Sequence, residues 1–155
     1  MTVFRLSGGR YRHDLSGKGA ELHGGRWNSK GTALVYTSQS RALAYAEVSI
    51  HLPLGIVPKD YHLITIHLPD TASILELPEE DLPPDWRSNP HGDSTQRIGD
   101  RFAAEATHLA LRVPSAVVPG DFNFLLNPAH PMMTEVRITH TVPFEFDSRF
   151  ASGRA

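Results

Sequence analysis

Cysteine is absent from this chain of 155 residues. Its absence excludes disulfides, thiolate metal sites and cysteine nucleophiles, and it fits a reducing compartment. No apolar run approaches the roughly 20 residues that a membrane-spanning helix needs. Residues 1–7 also lack the charged-then-apolar layout of a signal peptide. We therefore expect the protein to lie in the cytosol.

Neither sign of charge is in excess, because 15 basic residues face 17 acidic ones and the net charge is −2. A dedicated nucleic-acid binder would show a basic surplus. A nucleic-acid enzyme with His13 or His23 as general base is therefore the less favoured alternative. A basic cluster near the start could equally serve a phosphate-bearing small molecule, and it comprises Arg5, Arg10, Arg12, Lys18, Arg26 and Lys30.

Several catalytic signatures are missing from the sequence. The nine histidines include no pair at the i, i+4 spacing of a zinc protease, so we expect no catalytic metal. No Gly-x-Ser-x-Gly elbow is present to mark a hydrolase nucleophile. No Gly-x-Gly-x-x-Gly loop is present to mark a dinucleotide cofactor site. These absences leave the functional residues to be found among less familiar patterns.

Hydrophobic patterning predicts more strands than helices. Runs rich in β-branched and aromatic residues predict strands at residues 3–6, 33–37, 61–68, 73–77, 109–113 and 135–146, the last interrupted at Pro143. Helices are predicted over 40–51, capped from 38–40, and over 95–107, capped by Asp93 or Ser94. Loops are predicted over 7–25, 78–90 and 114–131. The irregular alternation predicts an α+β fold in one domain, residues 1–150, with a frayed tail over 151–155.

The most informative segment is Gly24-Gly25-Arg26-Trp27-Asn28. Two glycines allow a tight turn or a close approach of the backbone to a ligand. Arg26 offers a planar set of donors suited to phosphate or carboxylate, and Asn28 can both donate and accept. The segment suits an anionic small molecule, although a surface turn with Trp27 in the core would explain the same residues.

Glu47 is a carboxylate on the apolar side of a predicted helix. It lies four residues after Leu43 and three before Ile50, which places all three on one face. Burial without a partner would cost several kcal/mol. Glu47 must therefore have a partner or open onto a cleft. An ion pair with an arginine, a position at the edge of the solvent and a catalytic role all fit this placement.

Three further polar residues lie where binding sites often form. Tyr36 ends the strand before the Glu47 helix, where its ring could pack in the core or stack on a flat ligand. Ser115 follows a predicted strand, and Asn123 precedes an apolar stretch that Asn127 closes. Position alone does not separate a turn or capping residue from a site residue here.

Taken in order, these segments resemble the RES domain, a family named for its arginine, glutamate and serine. The resemblance rests on Gly-Gly-Arg-Trp-Asn, Val-Tyr-Thr-Ser, Ala-Tyr-Ala-Glu-Val, Val-Pro-Ser-Ala-Val-Val-Pro and Asn-Phe-Leu-Leu-Asn-Pro-x-His-Pro. It extends from residues 4–6 to residues 146–149, nearly the whole chain. The named residues correspond to Arg26, Glu47 and Ser115, with Tyr36 as a fourth site residue.

The resemblance implies a mixed, split β-sheet with flanking helices, similar to the ADP-ribosyltransferase toxins. It implies the toxin of a bacterial toxin–antitoxin pair, which cleaves NAD by hydrolysis or phosphorolysis, or transfers ADP-ribose to a protein. NAD would be the substrate, and no cofactor is implied. The implied partners are an Xre-type helix-turn-helix antitoxin that blocks the active site, and a second toxin copy in a homodimer.

The same resemblance assigns roles to residues. Glu47 and Arg26 would be catalytic, because a carboxylate can stabilise positive charge on the ribose and a guanidinium can hold a phosphate. The tyrosine ring would stack on nicotinamide, and the serine would hydrogen-bond the ribose or amide. The full substrate-binding set would be Arg26, Tyr36, Ser115, Asn28 and Asn123. A ribonuclease-type toxin and a non-enzymatic partner-binding domain are the alternatives from other classes.

Overall fold

Seven strands and three α-helices make up the part of the chain that the computed structural model describes, residues 1–150. The tail predicted over residues 151–155 lies outside the described residues. The strands are β1 (Thr2–Gly8), β2 (Val35–Ser38), β3 (Tyr61–His67), β4 (Ile74–Glu76), β5 (Ala110–Pro114), β6 (Phe122–Leu126) and β7 (Arg137–Phe144). The helices are α1 (Lys18–His23), α2 (Arg41–Ser49) and α3 (Asp93–Glu105).

The seven strands form one mixed sheet in the order β4-β5-β6-β2-β1-β3-β7. The β4–β5 pair is parallel, and the other neighbouring pairs are antiparallel. Where β1 meets β2, the register holds a single residue pair, Phe4 opposite Ser38. The sheet is therefore nearly divided into a four-stranded and a three-stranded half. The predicted α+β class with a mixed, split sheet is confirmed.

The two longer helices cover the same face of the sheet, one on each half. Strand register places Tyr36, Ser38 and Asn123 on that face. Helix α3 packs on the four-stranded half through Phe102, and α2 packs on the three-stranded half through Ala44. Helix α2 also contacts β2, so it lies above the line where the sheet is nearly divided, and α3 lies to one side of that line.

The opposite face of the sheet carries the larger hydrophobic core. Its fully buried side chains include Val3, Val35, Ile64, Ile66, Leu68, Leu109 and Leu126. Burial of each such side chain stabilises the fold by about 1.5–3 kcal/mol before conformational entropy is subtracted. This core holds the strands that present the polar residues of the other face.

Helix α2 begins where the sequence predicts. The Ser40 hydroxyl accepts a hydrogen bond from the Leu43 amide at 3.1 Å, as a helix cap does. Leu43 is buried, but Ile50 is 58% exposed. The predicted inward stripe through Ile50 is wrong, because the helix ends at Ser49 and Ile50 lies beyond its last turn. The cap predicted for α3 is also wrong, because Gly92 precedes that helix and no side chain caps it.

Two predicted loops contain regular structure. Strand β6 lies inside the loop predicted over 114–131, and it pairs with both β2 and β5. Helix α1 lies inside the loop predicted over 7–25. Pro143 does not interrupt β7, because β7 is an edge strand and proline is tolerated there. No helix within residues 1–150 is long and apolar enough to cross a membrane.

Candidate active site

Glu47 extends from α2 towards the four-stranded half of the sheet. Its Oε1 accepts two hydrogen bonds, from Ser115 Oγ at 2.7 Å and from Asn123 Nδ2 at 2.6 Å. Its Oε2 has no hydrogen-bond partner among residues 1–150, and no ion pair there includes Glu47. The ion pair with an arginine is therefore excluded as the reason for its inward placement. The half-buried carboxylate is held by two neutral donors through one oxygen.

Ser115 is itself fixed by the turn that follows β5. Its side chain is only 2% exposed. Its Oγ accepts hydrogen bonds from the backbone amides of Val117 at 3.1 Å and Val118 at 3.0 Å. Because both acceptor positions are occupied, the hydroxyl proton is directed at Glu47. Ser115 thus orients the carboxylate.

Asn123 lies between Glu47 and a serine that the sequence did not single out, Ser38. Its Nδ2 donates to Glu47, and its Oδ1 accepts from Ser38 Oγ at 2.8 Å. Ser38 lies directly opposite Asn123 in the β2–β6 pairing, and it is buried. Alternation along the strand places Ser38 on the same face as Tyr36, and this was the signal that could have found it.

Arg26 lies in the loop before β2, and we call the region between its guanidinium and the Glu47 carboxylate the cleft. Its Nη1 donates to the carbonyl oxygens of Trp86 at 2.7 Å and Ser88 at 2.9 Å. Both carbonyls belong to the proline-rich segment, residues 78–90, which therefore fixes the guanidinium plane. Its Nε and Nη2 have no hydrogen-bond partner in the described part of the chain, so these donors are available to a ligand.

The charge of Arg26 lies within electrostatic range of Glu47. Partial burial lowers the pKa of Arg26, and the Glu47 carboxylate and the Tyr36 hydroxyl offset part of that shift. An arginine keeps its positive charge at neutral pH after such a change. The cleft therefore has a cation on one side and a carboxylate on the other.

Tyr36 ties the Arg26 loop to the sheet. Its hydroxyl accepts a hydrogen bond from the Trp27 amide at 3.1 Å and donates one to Asn28 Oδ1 at 2.7 Å. Burial raises the pKa of Tyr36 above its ordinary value, so the hydroxyl keeps its proton. The half-buried ring lies on the cleft face of the sheet.

Asn28 does not line the cleft. Its side chain has no exposed surface. Its Nδ2 donates to three backbone carbonyls, those of Ala20, Ser29 and Thr32. The expectation that Asn28 contacts substrate is therefore corrected, because its side chain is buried and both ends of its amide are engaged within the protein. Through these hydrogen bonds, Asn28 stabilises the conformation of the loop between α1 and β2.

Helix α3 clamps the Arg26 loop from the outside. The Thr95 hydroxyl donates to the backbone oxygen of Arg26 at 2.5 Å. The Gln96 amide donates to the backbone oxygens of Gly25 at 3.0 Å and Asn28 at 3.1 Å. These contacts join residues about 70 positions apart in the chain. Sequence reasoning missed them because no local pattern reports tertiary contacts.

Two more α3 residues complete the clamp. Asp100 accepts hydrogen bonds from the Ser29 amide at 2.9 Å and from the Ser29 hydroxyl. Gly99 lets the helix backbone approach Trp27, which is buried in the core of the four-stranded half. A glycine in the interior of an amphipathic helix is a local signal of such an approach. It was the one available hint of this packing.

Comparison with protein families decides the assignment of the chain. A model of the RES domain matches residues 2–147. The chain belongs to the RES domain family. Of the three residues that the resemblance singles out, Glu47 and Ser115 are hydrogen-bonded, and Arg26 interacts electrostatically with Glu47.

Three relatives and one structure show how closely RES proteins resemble this chain. It is 38% identical to the Prs ADP-ribosylating toxin of Sphingobium sp. (strain YBL2) over 138 residues, which cover 88% of this chain and 86% of the relative. It is 36% and 39% identical to proteins named Toxin Res from Yersinia enterocolitica and Pseudomonas putida, each alignment covering 96% of this chain and 99% of the relative.

A solved structure shares the fold of this RES domain. The crystal structure of the M. tuberculosis MbcT–MbcA toxin–antitoxin complex matches with a TM-score of 0.74 and 23% sequence identity. The match covers 93% of this chain and 84% of the other chain. At this identity the likeness supports the fold.

The cleft of this RES domain is suited to a ligand that carries two kinds of charge. A carboxylate oxygen without a protein partner can stabilise a cationic centre. A guanidinium edge across the cleft can hold a phosphate.

Among residues 1–150, no group of three histidine, aspartate or glutamate side chains is close enough together to hold a metal ion.

Proposed function

We propose that this RES protein is the toxin of a toxin–antitoxin pair and that it cleaves NAD at the bond between nicotinamide and ribose. One observation carries the proposal. Glu47 holds one carboxylate oxygen against two donors and presents the other, Oε2, to a cleft whose far side carries Arg26. A dinucleotide with a cationic glycosidic centre and a pyrophosphate matches that pair of charges.

The chemistry places Glu47 beside the reacting ribose. The bond between C1′ and the nicotinamide nitrogen breaks, and its electron pair leaves with nicotinamide, which becomes neutral. Positive charge then develops on the ribose, as it does in glycoside cleavage. A carboxylate within hydrogen-bond distance of the ribose hydroxyls stabilises that charge more in the transition state than in bound NAD.

Of the other residues, Arg26 and Tyr36 bind the substrate, and Ser115 orients Glu47. Arg26 offers Nε and Nη2 to a phosphate, while Nη1 stays on the carbonyl oxygens of the proline-rich segment. The ring of Tyr36 provides a flat surface for nicotinamide. The hydroxyl of Ser115 remains with Glu47 and acts on the substrate through that carboxylate.

The acceptor distinguishes three versions of the same reaction. Water would give ADP-ribose and a proton, and inorganic phosphate would give ADP-ribose 1-phosphate. A nucleophilic side chain of another protein would give mono-ADP-ribosylation. The name of the Sphingobium relative, an ADP-ribosylating toxin, favours the last version as the second candidate.

An antitoxin is the partner that fits this proposal. The matched M. tuberculosis structure is that of a toxin–antitoxin complex. For this chain we infer an antitoxin of the Xre type that covers the cleft. A toxin homodimer within that complex is part of the same inference.

The test is a product assay with purified protein, free of antitoxin. NAD is incubated with the protein in buffer, in buffer with inorganic phosphate, and in cell lysate with NAD labelled on the adenylate. We expect nicotinamide release, with the second product identifying the acceptor. Glu47→Ala protein purified in parallel serves as the blank for contaminating enzymes.

Two outcomes would contradict the proposal. If no condition releases nicotinamide or labels a protein, the chain is a binding module. If the protein instead degrades RNA, and salt weakens its RNA binding steeply, it is a ribonuclease-type toxin. Normal growth of cells that express the protein without an antitoxin would favour the binding module.

A further inference from the structure

A chain of three polar side chains runs from the sheet to the reactive carboxylate. Ser38 Oγ donates to Asn123 Oδ1 at 2.8 Å, and Asn123 Nδ2 donates to Glu47 Oε1 at 2.6 Å. The strand register sets this chain, because Ser38 and Asn123 are direct partners in the β2–β6 pairing. Ser38 is buried, and its hydroxyl proton is committed to Asn123.

The direction of the Asn123 amide is determined from both ends. A carboxylate only accepts hydrogen bonds, so the amide must present its nitrogen to Glu47. The oxygen then faces Ser38, whose hydroxyl donates to it. Both ends of the amide are therefore engaged within the protein, and Asn123 is not a free contact for substrate.

We propose that Asn123, backed by Ser38, is a positioning residue for Glu47 and not a substrate-binding residue. With Ser115, it saturates Oε1 and fixes the plane of the carboxylate, so that Oε2 alone is turned to the cleft. Glu47 lies in the last turn of α2, and its two donors belong to β6 and to the turn after β5. The pair thus ties a helix side chain to the sheet at the reacting centre.

This inference rests on the proposed cleavage of NAD, and it predicts a specific kinetic pattern. Loss of a positioned donor typically lowers kcat by about 10²-fold or more when it acts on the reacting centre directly. Because these residues act through Glu47, we expect smaller effects: Asn123→Ala should lower kcat about 30-fold and Ser38→Ala about 5-fold. KM should change less than about threefold in both variants.

The deciding experiment is a double-mutant cycle with Glu47→Asp. The shorter side chain keeps the negative charge but withdraws the carboxylate by one methylene from the Asn123 amide. If Asn123 and Ser38 act through Glu47, their alanine variants lose most of their effect on kcat in the Glu47→Asp background, to about twofold or less. Ser38→Thr, which keeps the hydroxyl, should restore most of the turnover that Ser38→Ala loses.

Thr37→Val is the matched control for structural damage. The Thr37 hydroxyl donates to the Phe124 carbonyl at 2.7 Å, so this variant breaks another buried bond between β2 and β6, on the face away from the cleft. We expect Thr37→Val to lower the midpoint of thermal unfolding and to leave kcat unchanged. If it lowers kcat as much as Ser38→Ala does, the effect is a general one of the strand pair and the inference fails.

Two further results would overturn the positioning role. Asn123→Ala could raise KM with kcat unchanged, which would make Asn123 a substrate contact. The fold-losses of kcat for the alanine variants and for Glu47→Asp could also multiply in the double variants. Asn123 and Ser38 would then act independently of the carboxylate. The same variants are also compared in cells by growth arrest, which is measured as the inducer concentration that halves the growth rate. If wild-type protein releases no nicotinamide, the proposed function fails, while the growth cycle still decides whether the pair acts through Glu47.

Discussion

Gly99 of α3 lies directly against the carbonyl group of Trp27. A Cβ atom added to Gly99 would lie 1.6 Å from the Trp27 oxygen and 2.7 Å from its carbonyl carbon. Both atoms belong to the backbone, so no side-chain rotation can relieve the contact. The residue before Trp27 is Arg26, and the same helix holds the Arg26 backbone oxygen through Thr95. The backbone of α3 therefore fixes the position of the Arg26 backbone, from which the guanidinium extends.

Gly99→Ala should accordingly damage both stability and activity. Overpacking of this kind costs about 1–3 kcal/mol in the free energy of unfolding. A shift of the loop by about 1 Å would also lower kcat/KM by about 100-fold. Chemical denaturation and nicotinamide release measure the two effects. Gly19→Ala is the control, because that helical glycine has nothing within 4 Å of an added Cβ, and it should be neutral or slightly stabilising.

Tyr36→Phe tests the hydroxyl that ties the loop to the sheet. The ring remains, but the Trp27 amide loses its acceptor and the buried Asn28 oxygen loses its donor. We expect a loss of about 1–3 kcal/mol in the free energy of unfolding, because buried polar groups are left without partners. KM should rise as the loop loosens. Tyr11→Phe, at a tyrosine that is 50% exposed, should change neither quantity.

The raised pKa of Tyr36 also predicts how stability depends on alkaline pH. Burial favours the neutral phenol in the folded state, so its contribution is complete below the pKa of an unfolded tyrosine. That contribution is lost as the pH rises towards the higher folded-state value. Above about pH 10, the stability of wild type should therefore fall more steeply than that of Tyr36→Phe. Denaturant midpoints measured across this range check the prediction, and parallel curves would contradict it.

Arg26→Lys should not preserve function, although it preserves the charge. The arginine uses Nη1 to hold two carbonyl oxygens and keeps two other nitrogens for a ligand. A lysine ammonium is a point charge and cannot make both sets of bonds in one plane. We expect kcat/KM, measured by nicotinamide release, to fall about 100-fold in Arg26→Lys and further in Arg26→Ala.

The control for loss of a cation is Arg97→Ala. Arg97 lies on the outside of α3, where it pairs with Asp93 and is largely exposed. Exposed pairs of this kind contribute about 0–1 kcal/mol to stability. Its removal should leave nicotinamide release intact. If the Arg26→Lys variant were as active as wild type, the cleft would need only a positive charge, and the case for fixed guanidinium geometry would be lost.

The sequence predicts much of this fold because local patterns carry much of the information. Ser40 and the alanine-rich run after it place α2 within two residues of its observed bounds. Strand β6 was not predicted, because its five residues lie in a segment bounded by prolines that the sequence pattern assigns to a loop. Its place as a central strand depends on pairing with β2, which is distant in the chain, as well as with the neighbouring β5.

In the candidate site too, local patterns identify some residues, and contacts between distant segments determine the rest. Glu47 could be singled out because a carboxylate between Leu43 and later apolar residues contradicts simple burial. The bonds that Glu47 makes could not be predicted, because Ser115 and Asn123 reach it across 68 and 76 positions of the chain. Ser38 was missed because the sequence pattern assigned it to the cap of α2, whereas it is the last residue of β2 and shares the face of Tyr36.

The most direct test of the account is the rate of nicotinamide release in a single turnover, measured for wild type and Glu47→Gln beside the affinity of each for NAD. The variant keeps the size of the side chain but removes its charge. We predict that the rate falls by about 10²–10³-fold or more, while the dissociation constant of NAD stays within about threefold. A variant that releases nicotinamide at the wild-type rate would contradict the central role of the Glu47 carboxylate.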